Sequence, residues 1–145
     1  MRSGLLANLA EGVRLGVSGD ALGPLLRPLL GETPRPRALL LPGVPSRFAR
    51  ALLHSGCELQ RQEHLPSEPA AFDLLCAGSD GAATVAWLAS LAAAVRPGGL
   101  VIIATPRRPV EGRAVLCASL LHAGLLAPVQ QPAGMTLLTA GRTEQ

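Results

Sequence analysis

The sequence predicts an α/β fold with a mostly parallel sheet and an antiparallel C-terminal hairpin, on three observations. From residue 38 onward, short apolar runs alternate with helical segments, the pattern of βαβ units around a parallel sheet. The run "LVIIATP" (100–106) opens on consecutive Leu, Val and Ile residues, which suits a strand covered on both faces. The last two apolar stretches flank Pro132, Ala133 and Gly134, so they read as a terminal hairpin.

At the N-terminus, Leu5, Leu6, Leu9, Val13 and Val17 recur at helical spacing, which predicts an amphipathic helix over 4–15 that ends near Gly16. A short second helix follows, with Asp20 able to cap it and Pro24 and Pro28 limiting its length. "GETPRPR" then reads as a linker, which divides the chain into an N-terminal segment (1–37) and an α/β domain (38–145). "ALLLPG" (38–43) is the first strand, and "SRFARALLHSG" (46–56) a helix stopped by Gly56. "CELQRQE" (57–63) is a second, polar strand and "FDLLCAG" (72–78) a third, apolar one. "TVAWLASLAAAVR" (84–96) is a helix closed by Pro97, Gly98 and Gly99, and it leads into the fourth strand. A helix over 111–123 ends at Gly124, and "APVQQ" and "MTLLTAG" complete the sheet. Leu40, Leu74, Leu75, Val101, Ile102 and Ile103 are the expected core.

Composition narrows the function classes. The chain has 145 residues, a formal charge of +3 and a pI of about 9.3, and all 13 basic residues are Arg. These arginines are scattered, and with only Phe48, Phe72 and Trp87 as aromatics there is no base-stacking platform, so nucleic acid is not the expected partner. Nor does any apolar stretch approach the roughly 20 residues of a membrane helix. Cys57, Cys76 and Cys117 lack CxxC spacing and sit among apolar neighbours, so they read as small reduced core residues of a cytoplasmic protein, with no metal site expected. The N-terminus fails as a secretory signal, and Glu11 and Asp20 are unlike a mitochondrial targeting peptide, although targeting is left open.

Four segments occur in an order found in one enzyme family: Phe72-Asp73-Leu74-Leu75, Val95-Arg96-Pro97-Gly98-Gly99, Ala123-Gly124-Leu125 and Leu137-Leu138-Thr139-Ala140. Over residues 38–142 the chain resembles a class I S-adenosylmethionine-dependent methyltransferase domain. The resemblance implies a Rossmann-like methyltransferase fold with strand order 2-1-3-4-6-5. The gap between Glu63 and Phe72 is too short for the helix, strand and helix of that family, so one βα unit is missing and the second strand becomes a sheet edge.

The family's Gly-x-Gly-x-Gly loop is degenerate here. Its register holds Pro42-Gly43-Val44-Pro45-Ser46, in which two prolines remove N–H donors and Val44 brings a branched side chain toward the ligand position. If a cofactor is retained, the resemblance assigns it to Gly43, to Glu63 at the end of the second strand and to Asp80 after the third. Each has a plainer reading: Glu63 as a solvated strand-end residue, Asp80 as a helix N-cap. His54, His64 and His122 are dispersed, Asp73 reads as a structural strand residue, and no catalytic set is expected. The architecture is also similar to the N-terminal domain of anamorsin, where the fold is kept without the cofactor site; anamorsin's cysteine-rich region has no counterpart here.

The expectation from sequence is a non-catalytic methyltransferase-like domain, a pseudoenzyme without cofactor. It would serve as a structural or interaction subunit, meeting a protein partner or a second copy through strand 57–63 or the N-terminal helix. The alternative is a divergent, active S-adenosylmethionine-dependent methyltransferase.

Overall fold

The computed structural model describes residues 17–79, 83–107 and 112–144, with side chains described from residue 23, Pro28 excepted. The expected helix over 4–15 and Asp80 lie outside the described residues. The elements run in the order α1 (Val17–Glu32), β1 (Arg37–Leu40), α2 (Ser46–His54), β2 (Glu58–Arg61) and β3 (Phe72–Gly78). They continue with α3 (Val85–Ala93), β4 (Val95–Pro106), α4 (Gly112–His122), β5 (Leu126–Ala133) and β6 (Thr136–Arg142).

The strands form one sheet in the order β2-β1-β3-β4-β6-β5, as the sequence predicts. β2, β1, β3 and β4 pair in parallel, while β6 runs antiparallel to both β4 and β5. Alternation along each strand divides the apolar residues between the two faces. Leu40, Leu74, Ile102 and Leu138 pack with Phe48 and Leu52 of α2 and with Leu25, Leu26 and Leu29 of α1. Leu39, Leu75, Val101 and Ile103 pack with Leu88 and Leu91 of α3 and with Leu116 and Leu120 of α4. All six residues expected in the core are buried, at 3% exposure or less.

Three local expectations are corrected. α1 runs unbroken through Asp20, Pro24 and Pro28. Proline within a helix forfeits a backbone hydrogen bond, but burial of Leu25, Leu26 and Leu29 against the sheet offsets the loss. The Arg96-Pro97-Gly98-Gly99 turn belongs to β4, which begins at Val95 and absorbs it as a register shift against β3 between Phe72 and Leu74. The final turn falls at Gly134–Met135, so Pro132 and Ala133 lie inside β5; proline is tolerated there because β5 is an edge strand.

At the amino end of the sheet, Asp73 accepts hydrogen bonds from the Arg37 backbone N–H (2.8 Å) and from Arg96 Nε. Arg96 also donates to Thr33 Oγ1 (3.0 Å), and Arg142 pairs with Glu32 (3.1 Å), so α1, β1, β3, β4 and β6 are tied together. Asp73 is structural, as its place on the third strand suggested. Among the described residues, no helix is long and apolar enough to cross a membrane.

Candidate functional site

In an open α/β sheet, ligands bind outside the carboxyl ends of the strands where the strand order reverses, which here is between β1 and β3. Both strands end there in glycine-bearing backbone. The Gly78 N–H donates to the Pro42 carbonyl (3.2 Å), and Gly43 adopts φ +92°, a conformation that disfavours other residues. A Cβ on Gly78 would lie 2.6 Å from the Gly43 Cα and overlap its carbonyl group, so the two loops meet backbone to backbone.

Two clefts open on either side of Gly43. The smaller, about 390 Å³, lies between the ends of β1 and β2 and is lined by Leu41, Pro42, Gly43, Val44, Gln62 and Glu63. Glu63 is exposed and leaves β2 at its carboxyl end, so its carboxylate faces solvent and can accept hydrogen bonds from a ligand's hydroxyl groups. The larger cleft, about 740 Å³, runs from Gly43 and Pro45 across Gly78 and Ser79 to Thr105, Pro106, Met135 and Thr136, with Trp87 also lining it. Thr84 caps α3 by accepting from the Trp87 backbone N–H (3.1 Å), which anchors the helical turn that carries Trp87. Arg47, in the first turn of α2, donates to Thr136 Oγ1 (3.3 Å).

The structure brings Gly43 and Glu63 together at the smaller cleft. Gly78, Trp87, Met135 and Thr136 were not anticipated from the sequence. The signal for Met135 and Thr136 was present in Gly134, but placing the turn three residues wide, from Pro132, moved them into a strand away from the site. Among the described residues lining the two clefts, Glu63 is the one carboxylate and no histidine or cysteine is present. No group of three or more His, Cys, Asp or Glu side chains able to hold a metal ion occurs among the described residues.

The cysteines lie elsewhere. Cys57 and Cys76 are buried, and burial pushes their thiols up to about 11 and about 12; for Cys57 the negative charge of Asp73 adds to the effect. Cys117, expected in the core with them, is only half-buried on α4, and its pKa is also raised by desolvation.

No protein-family model and no curated protein matches the sequence. Solved structures do. The chain is similar to Burkholderia thailandensis 1,6-didemethyltoxoflavin-N1-methyltransferase, crystallised with 1,6-didemethyltoxoflavin and S-adenosylhomocysteine, at TM-score 0.60 and 16% identity over 97% of this chain and 86% of that one. It is similar to a Thermotoga maritima S-adenosylmethionine-dependent methyltransferase, possibly a histamine N-methyltransferase, at TM-score 0.56 and 14% identity over 91% of each chain. It is also similar to human N-acetylserotonin methyltransferase in complex with S-adenosylmethionine, at TM-score 0.55 and 10% identity over 76% of this chain and 48% of that longer one. The chain has the class I methyltransferase-like fold.

These neighbours correct the expectation that no cofactor is bound. Two of them were solved with S-adenosylhomocysteine or S-adenosylmethionine bound. The physical reason for the correction is that replacement of all three loop glycines, by Pro42, Val44 and Ser46, does not close the crevice in this chain: Gly43 lies at its centre, and clefts remain on both sides of it.

Proposed function

We propose that the protein is a divergent S-adenosylmethionine-dependent methyltransferase whose cofactor lies across Gly43, with its nucleoside in the smaller cleft and its reactive end toward the larger one. The observation that carries this reading is the pair of clefts meeting on glycine backbone at the point where the strand order reverses.

The residues present fit such a group. Gly43 lines the cleft with bare backbone at φ +92°, and Glu63 stands at the β2 end of the same cleft, able to accept hydrogen bonds from the two ribose hydroxyls. Val44 and Pro45 give the loop an apolar surface that limits water. When bound, S-adenosylmethionine supplies an electrophilic methyl group on a sulfonium. The protein's own part is to orient the acceptor and to exclude water.

Isothermal titration with S-adenosylmethionine and S-adenosylhomocysteine tests the reading. Micromolar binding is expected, weakened about 10-fold by Glu63→Gln, the loss of roughly one hydrogen bond to a charged acceptor. No heat at millimolar ligand would overturn it.

A second reading adds association to this activity. β2 is paired on one side alone, and Glu58, Gln60 and Arg61 are exposed, which supports strand addition by a protein partner or a second copy. Hydrogen exchange over 57–63, unchanged in the presence of the native partner, would remove it. The free thiols support a reducing, cytoplasmic setting.

A further inference from the structure

The loop that carries Gly43 runs directly into α2. Pro45 lines the larger cleft and occupies the N-cap position of the helix, and the Phe48 N–H donates back to its carbonyl (3.0 Å). Because Pro42 and Pro45 each fix φ, little freedom separates Gly43 from the first turn of α2. Arg47 stands in that turn. Its guanidinium stacks on the Phe48 ring, 5.0 Å from the centroid, and Phe48 is fully buried, so the guanidinium rests on a fixed platform. From there Arg47 donates to Thr136 Oγ1 (3.3 Å), which is 89 residues further along the chain. Among the described residues, no other hydrogen bond joins α2 to the β5–β6 hairpin.

Thr136 and Met135 belong to the wall of the larger cleft. Arg107 holds the same turn by a different route: its side chain donates to the Gly134 carbonyl (3.3 Å) and its backbone N–H to the Met135 carbonyl (2.9 Å). Arg107 follows β4, so its tie belongs to the sheet, whereas the tie from Arg47 starts at the cofactor loop. Neither arginine lines a cleft; each touches the turn. At 3.3 Å the Arg47 bond is longer than the usual N–H···O range, so it has room to tighten.

We propose that Arg47 is a positioning residue that ties the cofactor loop to the wall of the larger cleft, so that loading the loop places Met135 and Thr136 for a methyl acceptor. The proposal rests on the cofactor reading above. It supplies what coupling between two sites requires, a continuous physical link from one to the other.

The chain has two methionines, Met1 and Met135, and Met135 is 78% exposed on the cleft wall, so carbon-13 methyl labelling of methionine gives the wall its own resonance. Met135→Leu assigns it. S-adenosylhomocysteine is titrated in while this resonance and the heat of binding are both followed. In the parent the Met135 resonance should move with saturation, and in Arg47→Gln the heat should persist while the movement is largely lost. Thr136→Val removes the acceptor but keeps the branched shape, so it should abolish the same movement. It also keeps the test standing if Arg47→Gln fails to fold, which far-UV circular dichroism will show. Arg107→Gln is the control: it cuts a tie to the sheet and should leave the movement in place. A full movement in folded Arg47→Gln or Thr136→Val, or an equal loss in Arg107→Gln, which would mean a turn merely loosened, overturns the proposal. Those outcomes with cofactor heat intact sink this inference alone, whereas no heat in the parent removes the cofactor reading and this inference with it.

Discussion

Gly78 has no room for a side chain. Its Cβ would enter the backbone of Gly43, which cannot rotate away as a flexible side chain can. Gly78→Ala should therefore cost about 1–3 kcal/mol and loosen the loop at the floor of both clefts, read as a lower urea midpoint together with weaker cofactor binding. Ile102 is fully buried in the central strand, and Ile102→Ala should cost about 2–5 kcal/mol in the same melts. The thiols give a pH prediction. The folded pKa values of Cys57 and Cys76 are raised from 9.0, so the folded chain holds these protons more tightly than the unfolded chain. Below pH 9 both states keep them and stability is unaffected. As pH rises from 9 through about 11 for Cys57 and about 12 for Cys76, the unfolded state releases protons first and this contribution to stability falls. Denaturant melts across that window should show the decline, and it should shrink in Cys76→Ala relative to the parent.

Strand periodicity and the helix stops at Gly56 and Gly124 were legible from the sequence because each reports a local preference that the tertiary structure upholds. β3 spans the residues its apolar run marked, and the strand order followed from the ordered segments. Legibility failed where long-range packing outweighed a local signal. Pro24 and Pro28 argue for a short helix, yet α1 has 16 residues, because the sheet face against Leu25, Leu26 and Leu29 repays the broken hydrogen bonds. Leu26→Ala should consequently cost about 2–5 kcal/mol, as much as a strand residue, when measured by thermal or urea unfolding. We propose residue 38 as the start of the α/β domain on sequence grounds; a chain beginning there would lose these contacts, and its melting against the full chain tests the boundary. Of the residues lining the clefts, Gly43 was singled out by loop register and Glu63 by its place at the end of the second strand, whereas Met135 and Thr136 join them only because the β5–β6 turn folds beside the end of β4.

Across the whole molecule, long-range ties join the first described helix to the last strand. Glu32 and Arg142 are 110 residues apart, and Arg96 joins Asp73 and Thr33 at the same end. Arg96→Leu would leave the half-buried Asp73 carboxylate with the Arg37 N–H alone, at a cost of about 1–3 kcal/mol in urea melts. The sheet order also bears on how the chain is made. β6 follows the other described strands in the chain, yet it lies inside the sheet between β4 and β5. Until it emerges, the Leu100–Pro106 flank of β4 has no neighbour on that side, and an apolar strand with open hydrogen-bonding groups is an invitation to aggregate. The sheet therefore closes only once residues 136–142 are available, and nascent chains arrested near residue 135 should depend on chaperones more than chains that carry β6.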